Sequence, residues 1–262
     1  EKEMPDPILK VTEFLKNFGG LSAVSDYRLE LPLGMVYGLI GPNCAGKTTI
    51  FNLLSGVLKP NRGRIVFNQI DITDFRPDQV TRVGLTRTFQ NLRLFPSLNV
   101  EMNLKIANHI HLHYSFVASL SNLPGFFRSE REVQKKVDTM LDIFGLSQYR
   151  DELATNLPYG LQRKLDIART LMTDPKVVLL DEPSAGMNTG ESEDLARLIL
   201  QIKERFHLTL VIVEHRMPFV MGLAGIIQVL DYGSVIAQGT PEEIQNNPQV
   251  IEAYLGAGDT IA

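Results

Sequence analysis

The 262-residue sequence has little of several features that mark special classes of protein. It contains one cysteine, Cys44, which excludes an intrachain disulfide framework and agrees with a reducing compartment. Its formal net charge is −4, from 26 basic and 30 acidic residues, so the charge balance does not favour a protein that coats nucleic acid. We therefore expect no nucleic-acid partner.

Long apolar runs are also scarce. The uncharged stretch from Met217 to Leu230 contains Pro218 and is shorter than the roughly 20 apolar residues that a membrane-spanning helix needs. The sequence starts Glu-Lys-Glu-Met, which is not an apolar signal region. With 44% hydrophobic residues, the composition is that of an ordinary globular domain. We expect a cytoplasmic chain without a transmembrane segment.

Three short apolar runs predict a buried parallel sheet. Val36–Ile40, Val177–Leu180 and Leu210–Val213 are continuously apolar rather than alternating, which is typical of strands covered on both faces. Helices must then pack on both faces of the sheet. Apolar residues recur at helical spacing from Val133 to Phe144, with Gly145 placed to end that helix. The prediction is an α/β core interrupted by a helical insert.

A glycine-rich motif follows the first of these predicted strands and precedes a predicted helix. It satisfies G-x-x-x-x-G-K-[ST] and, with the next threonine, consists of Gly41, Pro42, Asn43, Cys44, Ala45, Gly46, Lys47, Thr48 and Thr49. In this motif backbone N–H groups surround phosphates, the lysine neutralises their charge, and the Thr48 hydroxyl reaches Mg²⁺. The motif predicts a P-loop NTPase that binds ATP and Mg²⁺.

Two acids end the second predicted strand. Asp181 can hold the water shell of a metal ion, and Glu182 can polarise the water that attacks the γ-phosphate. The alternative is that both acids simply end a strand and begin a loop. The presence of the P-loop favours the catalytic interpretation.

In their order along the chain, these motifs resemble those of ABC-transporter ATPases, over nearly the whole sequence. The resemblance implies that Phe18 stacks on adenine, that Gln90 contacts Mg²⁺ and the membrane subunit, and that His215 is the switch histidine beside the catalytic Glu182. The remaining implied positions are a signature motif and a dimer-facing loop residue: Leu157, Pro158, Tyr159, Gly160, Leu161, Gln162 and Asn188. Taken one at a time, Phe18, Gln90 and His215 could also be ordinary core or surface residues. Their spacing from the P-loop and from the two acids favours the roles that the family implies.

The same resemblance implies a fold and a domain division. We expect a P-loop NTPase (RecA-like) α/β core with an inserted helical subdomain and a small antiparallel β region near the N-terminus. The single ATPase domain, 1–262, would comprise a core of about 1–90 and 162–235, a helical subdomain at 91–161 that carries the signature, and a helical tail at 236–262.

Three longer stretches resemble the ATPases of branched-chain and neutral amino acid importers: Arg87–Phe95, Glu214–Met217 and Gly239–Pro248. This implies an ATPase on the inner face of the plasma membrane. Its implied partners are permease subunits, a second ATPase subunit and, indirectly, a periplasmic solute-binding protein. The alternatives are an ABC ATPase for another substrate, such as an exported lipid or urea or a similar amide, and a degenerate nucleotide-binding regulatory subunit.

The sequence departs from the family at two places. Cys44 replaces a usual glycine in the P-loop, where a positive φ would cost a non-glycine residue of order 1 kcal/mol. A plain substitution is favoured there over a thiol switch. The signature, usually Leu-Ser-Gly-Gly-Gln, reads Leu-Pro-Tyr-Gly-Leu from Leu157 to Leu161. We expect the P-loop, Glu182 and His215 to form the stronger active site with a partner's signature, and this chain's own signature to form a weaker one.

A histidine cluster also stands out. His109, His111 and His113 alternate along the chain, but no cysteine or acid stands close to them in sequence. A surface position is favoured over a metal site.

Overall fold

The computed structural model describes residues 7–88, 90, 92–108 and 124–256, so the three histidines of the cluster lie outside the described residues. The chain divides into two compact units. The first consists of Glu1–Arg87 and Lys176–Ala262, and the second of Thr88–Pro175.

The first unit contains both strands and helices, and helices dominate the second. The strands are β1 Leu9–Phe18, β2 Leu21–Leu31, β3 Val36–Ile40, β4 Arg62–Phe67, β5 Ile70–Asp71, β6 Leu85–Arg87, β7 Val177–Asp181, β8 Thr209–Val213, β9 Ile226–Asp231 and β10 Ser234–Gly239. The helices are α1 Lys47–Leu54, α2 Pro77–Arg82, α3 Val100–Ala107, α4 Pro124–Ile143, α5 Tyr159–Leu171, α6 Thr189–Phe206, α7 Met217–Met221, α8 Pro241–Gln245 and α9 Pro248–Gly256.

A six-stranded sheet of order β10-β9-β3-β8-β7-β6 forms the centre of the first unit. The strands β9, β3, β8, β7 and β6 pair in parallel, and β10 pairs antiparallel with β9 at one edge. Every residue of β3, β7 and β8 is buried. The predicted buried strands are therefore confirmed, and their carboxyl ends lie along the same edge of the sheet.

A second sheet, of order β2-β1-β4-β5, is antiparallel throughout. Its inward residues, among them Phe14, Tyr27 and Phe67, share one apolar core with Phe51 of α1 and with Leu179 of β7. Helix α1 is thus held on both sides by buried apolar contacts. The predicted antiparallel region near the N-terminus is confirmed.

The second unit packs α3, α4 and α5 together. Val137, Leu141 and Phe144 are buried, and Gly145 follows α4 with φ 65°, as the spacing predicted. Asn103 of α3 is fully buried: its amide oxygen accepts from the Phe95 backbone N–H at 2.9 Å, and its amide nitrogen donates to the Phe95, Leu98 and Asn99 carbonyls. This one side chain fixes the loop that precedes α3.

Two predicted boundaries differ from the structure. The helical insert was expected to end at 161, but α5 is one continuous helix and the second unit extends to Pro175. The tail from 236 was expected to be helical, but β10 occupies Ser234–Gly239 because it pairs antiparallel with β9 across a two-residue turn. Helix begins again at Pro241, where the Thr240 side chain caps it.

Within the described ranges, no helix is both long enough and apolar enough to cross a membrane.

Candidate functional site

The loop between β3 and α1 has the backbone that its glycines predict. Gly41 has φ 150°, and a Cβ there would lie 2.1 Å from the Leu230 carbonyl oxygen. Gly46 has φ 106°, and a Cβ there would lie 2.6 Å from the Ala23 carbonyl oxygen. Only glycine fits at either position, so the backbone forms a cradle whose N–H groups are not covered by side chains.

Lys47 lies inside the curve of this loop. Its side chain is buried, and Nζ donates to the carbonyl oxygens of Gly41 at 2.6 Å and Pro42 at 2.7 Å. Thr48 is exposed and Thr49 half-buried at the start of α1, where the backbone N–H groups of the first turn and the helix dipole favour an anion. The glycine cradle, the Lys47 ammonium group and the start of the helix together fit the phosphates of a nucleoside triphosphate.

Asp181, at the end of β7, forms a buried ion pair. Arg87, the last residue of β6, places a guanidinium nitrogen 2.7 Å from Asp181 Oδ2. The other terminal nitrogen donates to Asn52 Oδ1 on α1 at 2.7 Å and to Oγ of Ser55, the residue that caps the end of α1, at 3.2 Å. Arg87 therefore connects the P-loop helix to the acid that is predicted to support Mg²⁺.

Glu182 and His215 are in direct contact. The imidazole nitrogen Nε2 lies 2.7 Å from Glu182 Oε1, as a ring N–H donating to the carboxylate. Glu182 has φ 45°, and its backbone N–H donates to the Val213 carbonyl at 2.8 Å. A non-glycine residue held at positive φ stores strain, and such residues concentrate at functional sites.

The loop after Glu182 leads into α6. Asn188 caps that helix: its side chain accepts from the Glu191 N–H at 2.9 Å, and the Glu191 carboxylate accepts from the Asn188 N–H at 3.0 Å. Asn188, implied to face a partner subunit, thus also has a local structural role.

Phe18 ends β1 with 47% of its surface exposed. The Lys16 ammonium lies 5.4 Å from the centre of its ring. An exposed aromatic ring with a cation beside it has the form that stacking on a nucleobase requires.

Gln90 and the signature residues belong to the second unit. Pro158 is the N-terminal cap of α5, and its carbonyl accepts from the N–H groups of Leu161 and Gln162. Among the residues that the structure describes, no side chain caps this helix, and the Gln162 amide donates back to the Leu157 carbonyl at 2.8 Å. Tyr159 is exposed and Gly160 is half-buried.

Arg163 joins the two predicted motifs of this unit. Its fully buried guanidinium donates to the Gln90 carbonyl at 3.0 Å and to the Tyr159 hydroxyl at 3.2 Å. Farther along α5, burial raises the pKa of Asp166, and the nearby Arg169 and Arg163 oppose that shift. The signature helix therefore begins with a weak cap and carries buried charges.

The structure brings the P-loop, Asp181, Glu182 and His215 together in the first unit and places Gln90 with the signature in the second. Three residues were not among those predicted: Arg87, Arg163 and Glu214. Each is a charged side chain at or beside a motif, and Arg87 is the last residue of a strand while Glu214 directly follows one. That position was the available signal in the sequence.

The fold and this site together define a P-loop ATPase, and comparison with known proteins narrows the class. A family model described as ABC transporter matches residues 24–185, and one described as branched-chain amino acid ATP-binding cassette transporter matches residues 234–260. A solved structure described as a nucleotide-free ATP-binding cassette from an ABC transporter has a TM-score of 0.81 and 33% identity, covering 94% of this chain and 98% of that one.

Two relatives are similar over almost their whole length. The high-affinity branched-chain amino acid transport ATP-binding protein LivG of Escherichia coli (strain K12) is 42% identical over 253 residues, 97% of this chain and 99% of that protein. BraF of Pseudomonas aeruginosa, described in the same words, matches to the same extent. The chain belongs to the ABC transporter family, as an ATP-binding subunit. The resemblance, the fold class and the ATPase class predicted from motif order are confirmed.

Replacement of Arg87 by Met tests the buried ion pair. The variant removes the cation beside a carboxylate that stays buried, so we expect the free energy of unfolding to fall by about 3–5 kcal/mol. The matched control is Arg28→Met, because Arg28 pairs with Glu13 on an exposed surface, where such a pair contributes about 1 kcal/mol or less. Urea unfolding measures both variants, and equal losses would contradict the account.

Replacement of Cys44 by Gly tests the strain in the P-loop. Cys44 is exposed and has φ 63°, so glycine relieves a cost of about 1 kcal/mol or more, offset in part by added freedom of the unfolded chain. We expect a small rise in the thermal midpoint for Cys44→Gly and none for Cys44→Ala, which keeps Cβ. Equal behaviour of the two variants would show that Cys44 is not strained.

Proposed function

We propose that this chain is the ATP-hydrolysing subunit of an importer for branched-chain or other neutral amino acids. The observation that carries the catalytic part is the 2.7 Å contact between Glu182 and His215, beside the loop that holds Lys47. The substrate class is supported by the relatives, which are branched-chain amino acid transport proteins by name, and by the match of residues 234–260.

ATP binds along the P-loop in this proposal. Phe18 stacks on the adenine, and the backbone N–H groups from Gly41 to Thr49 surround the phosphates. Lys47 already lies in the loop with its ammonium on two carbonyl oxygens, so phosphate oxygens exchange for these acceptors without a large movement.

Mg²⁺ fits the oxygen donors that the chain offers. The Thr48 hydroxyl and, through water, the Asp181 carboxylate would hold it, since hard cations prefer oxygen ligands. Gln90 is a further ligand only by the family resemblance. When bound, the ion would neutralise charge on the β- and γ-phosphate oxygens. The Arg87 guanidinium, which also contacts α1, keeps the Asp181 carboxylate oriented.

Glu182 orients and deprotonates the attacking water. As a general base, the Glu182 carboxylate accepts the proton of the water. The His215 imidazole contacts this carboxylate and holds it in place beside the γ-phosphate. His215, with 41% of its side chain exposed, is also accessible to the γ-phosphate, whose charge it stabilises.

The subunit works on the cytoplasmic face of the membrane with permease subunits and a second ATPase subunit, and a periplasmic solute-binding protein delivers the cargo. Each active site joins one chain's P-loop to the other chain's signature. The chain's own signature lacks the usual serine and glutamine, and Pro158 offers no side-chain cap to α5. The site built on this chain's P-loop is therefore the stronger of the pair.

Replacement of Glu182 by Gln in the assembled transporter tests this assignment. The carboxamide keeps the shape but cannot take the proton, so we expect phosphate release to fall by about 10²–10⁴-fold. Glu193→Gln is the control, because Glu193 is exposed on α6. If the Glu182→Gln transporter turned over ATP as fast as the unmodified one, this chain would not supply the strong site. That result would favour the alternative that the chain is a regulatory subunit.

The same assembled transporter is used to test which class of substrate it carries. The chain is purified with its membrane partners, and ATP hydrolysis is measured with leucine, isoleucine and valine, with urea, and with lipid. Stimulation by the branched-chain amino acids supports the proposal, and stimulation by urea or lipid alone replaces it.

A further inference from the structure

A buried carboxylate outside the proposed catalytic pair lies directly behind it. Glu214 follows β8 and precedes His215, and only 2% of its surface is exposed. A carboxylate in such a place is costly unless hydrogen-bond donors surround it. The groups that donate hydrogen bonds to Glu214 therefore show which segments this carboxylate holds in place.

Those donors come from two different segments. Oε1 of Glu214 accepts from the Ser184 backbone N–H at 2.7 Å, and Oε2 accepts from the backbone N–H of His215 at 3.1 Å. The Arg216 N–H is also directed at Oε2, at 3.5 Å. One side chain thus connects the loop Ser184–Asn188, called here the switch-side loop, to the backbone that carries the histidine.

A second contact joins the same two segments. The Arg216 guanidinium donates to the Met187 carbonyl at 3.1 Å. The Ser184 hydroxyl is buried and has no hydrogen-bond partner within the described part of the chain, so it contributes no anchor of its own. The backbone of the switch-side loop is therefore held against residues 214–216 mainly by Glu214 and Arg216.

We propose that Glu214 is a positioning residue that couples the switch-side loop to the Glu182–His215 pair. The loop begins two residues after Glu182, and the other end of the coupling is His215 itself, so a displacement of the loop changes the 2.7 Å contact from both sides. A subunit that touches this loop thereby sets the geometry of the catalytic pair. The inference rests on the proposed roles of Glu182 and His215.

The test uses Glu214→Gln. Glutamine has the same shape but only one acceptor oxygen, so its NH₂ group must face either the Ser184 or the His215 N–H. In the assembled transporter we expect kcat to fall about 10–100-fold with KM for ATP within about twofold, as misplacement of a catalytic group requires. Hydrogen exchange of the full chain should be faster in both 184–187 and 214–216.

Three comparisons make the result decisive. Glu243→Gln is the matched control, because the Glu243 carboxylate accepts the Thr240 N–H at 2.8 Å at the start of α8, and it should leave kcat unchanged. Arg216→Met removes the second contact and should lower kcat less than Glu214→Gln does. Because Glu214 acts through His215, Glu214→Gln should add little to the loss caused by His215→Ala.

Unchanged kcat and unchanged exchange in Glu214→Gln would overturn the inference, as would additive losses with His215→Ala. If the wild-type transporter released no phosphate, the proposed function would fail instead. Exchange in the two segments would then still decide whether Glu214 couples them.

Discussion

Parallel pairing of β6, β7, β8 and β3 is the constraint on which the active site depends, because it fixes where each strand stops. Arg87 ends β6, Asp181 ends β7, Glu214 follows β8, and the P-loop follows β3. Residues far apart in sequence therefore meet at one edge of the sheet, where parallel α/β sheets bind ligands. All five residues of each of β3, β7 and β8 are buried, so these strands lie in the interior with both faces covered.

The same edge carries features that are individually unfavourable. Glu182 and Cys44 have positive φ without being glycine, and Asp181 and Glu214 are buried carboxylates. Three of these residues are supported locally: Glu182 by a backbone hydrogen bond to β8, Asp181 by Arg87, and Glu214 by backbone N–H groups. The apolar core behind the sheet holds the backbone in place. The polar groups therefore keep their positions, although burying or straining each of them costs free energy of folding.

Much of this arrangement could be predicted from the sequence, because its strongest signals are local. The continuous apolar runs predicted β3, β7 and β8, and the glycine spacing predicted the P-loop between strand and helix. The roles of Arg87 and Glu214 could not be predicted, since a charged residue at the end of a strand shows its partner only when the neighbouring strands are in register. The end of the insert was missed because the signature motif lies at the start of α5, whereas packing follows the whole helix. The strand β10 was missed because its residues are exposed or half-buried rather than continuously apolar, and because it depends on pairing with β9.

The chain carries the P-loop and the Glu182–His215 contact at one edge of its sheet, and its predicted signature lies at a helix that begins at a proline without a side-chain cap. In the pair of unequal ATPases proposed above, these features would give the chain an active role at its own P-loop and a weaker contribution to its partner's site. The most direct measurement is phosphate release by the assembled transporter when this chain carries Lys47→Ala. The account predicts loss of most turnover, because the ammonium that neutralises the β- and γ-phosphates is absent. Turnover equal to that of the unmodified transporter would contradict it.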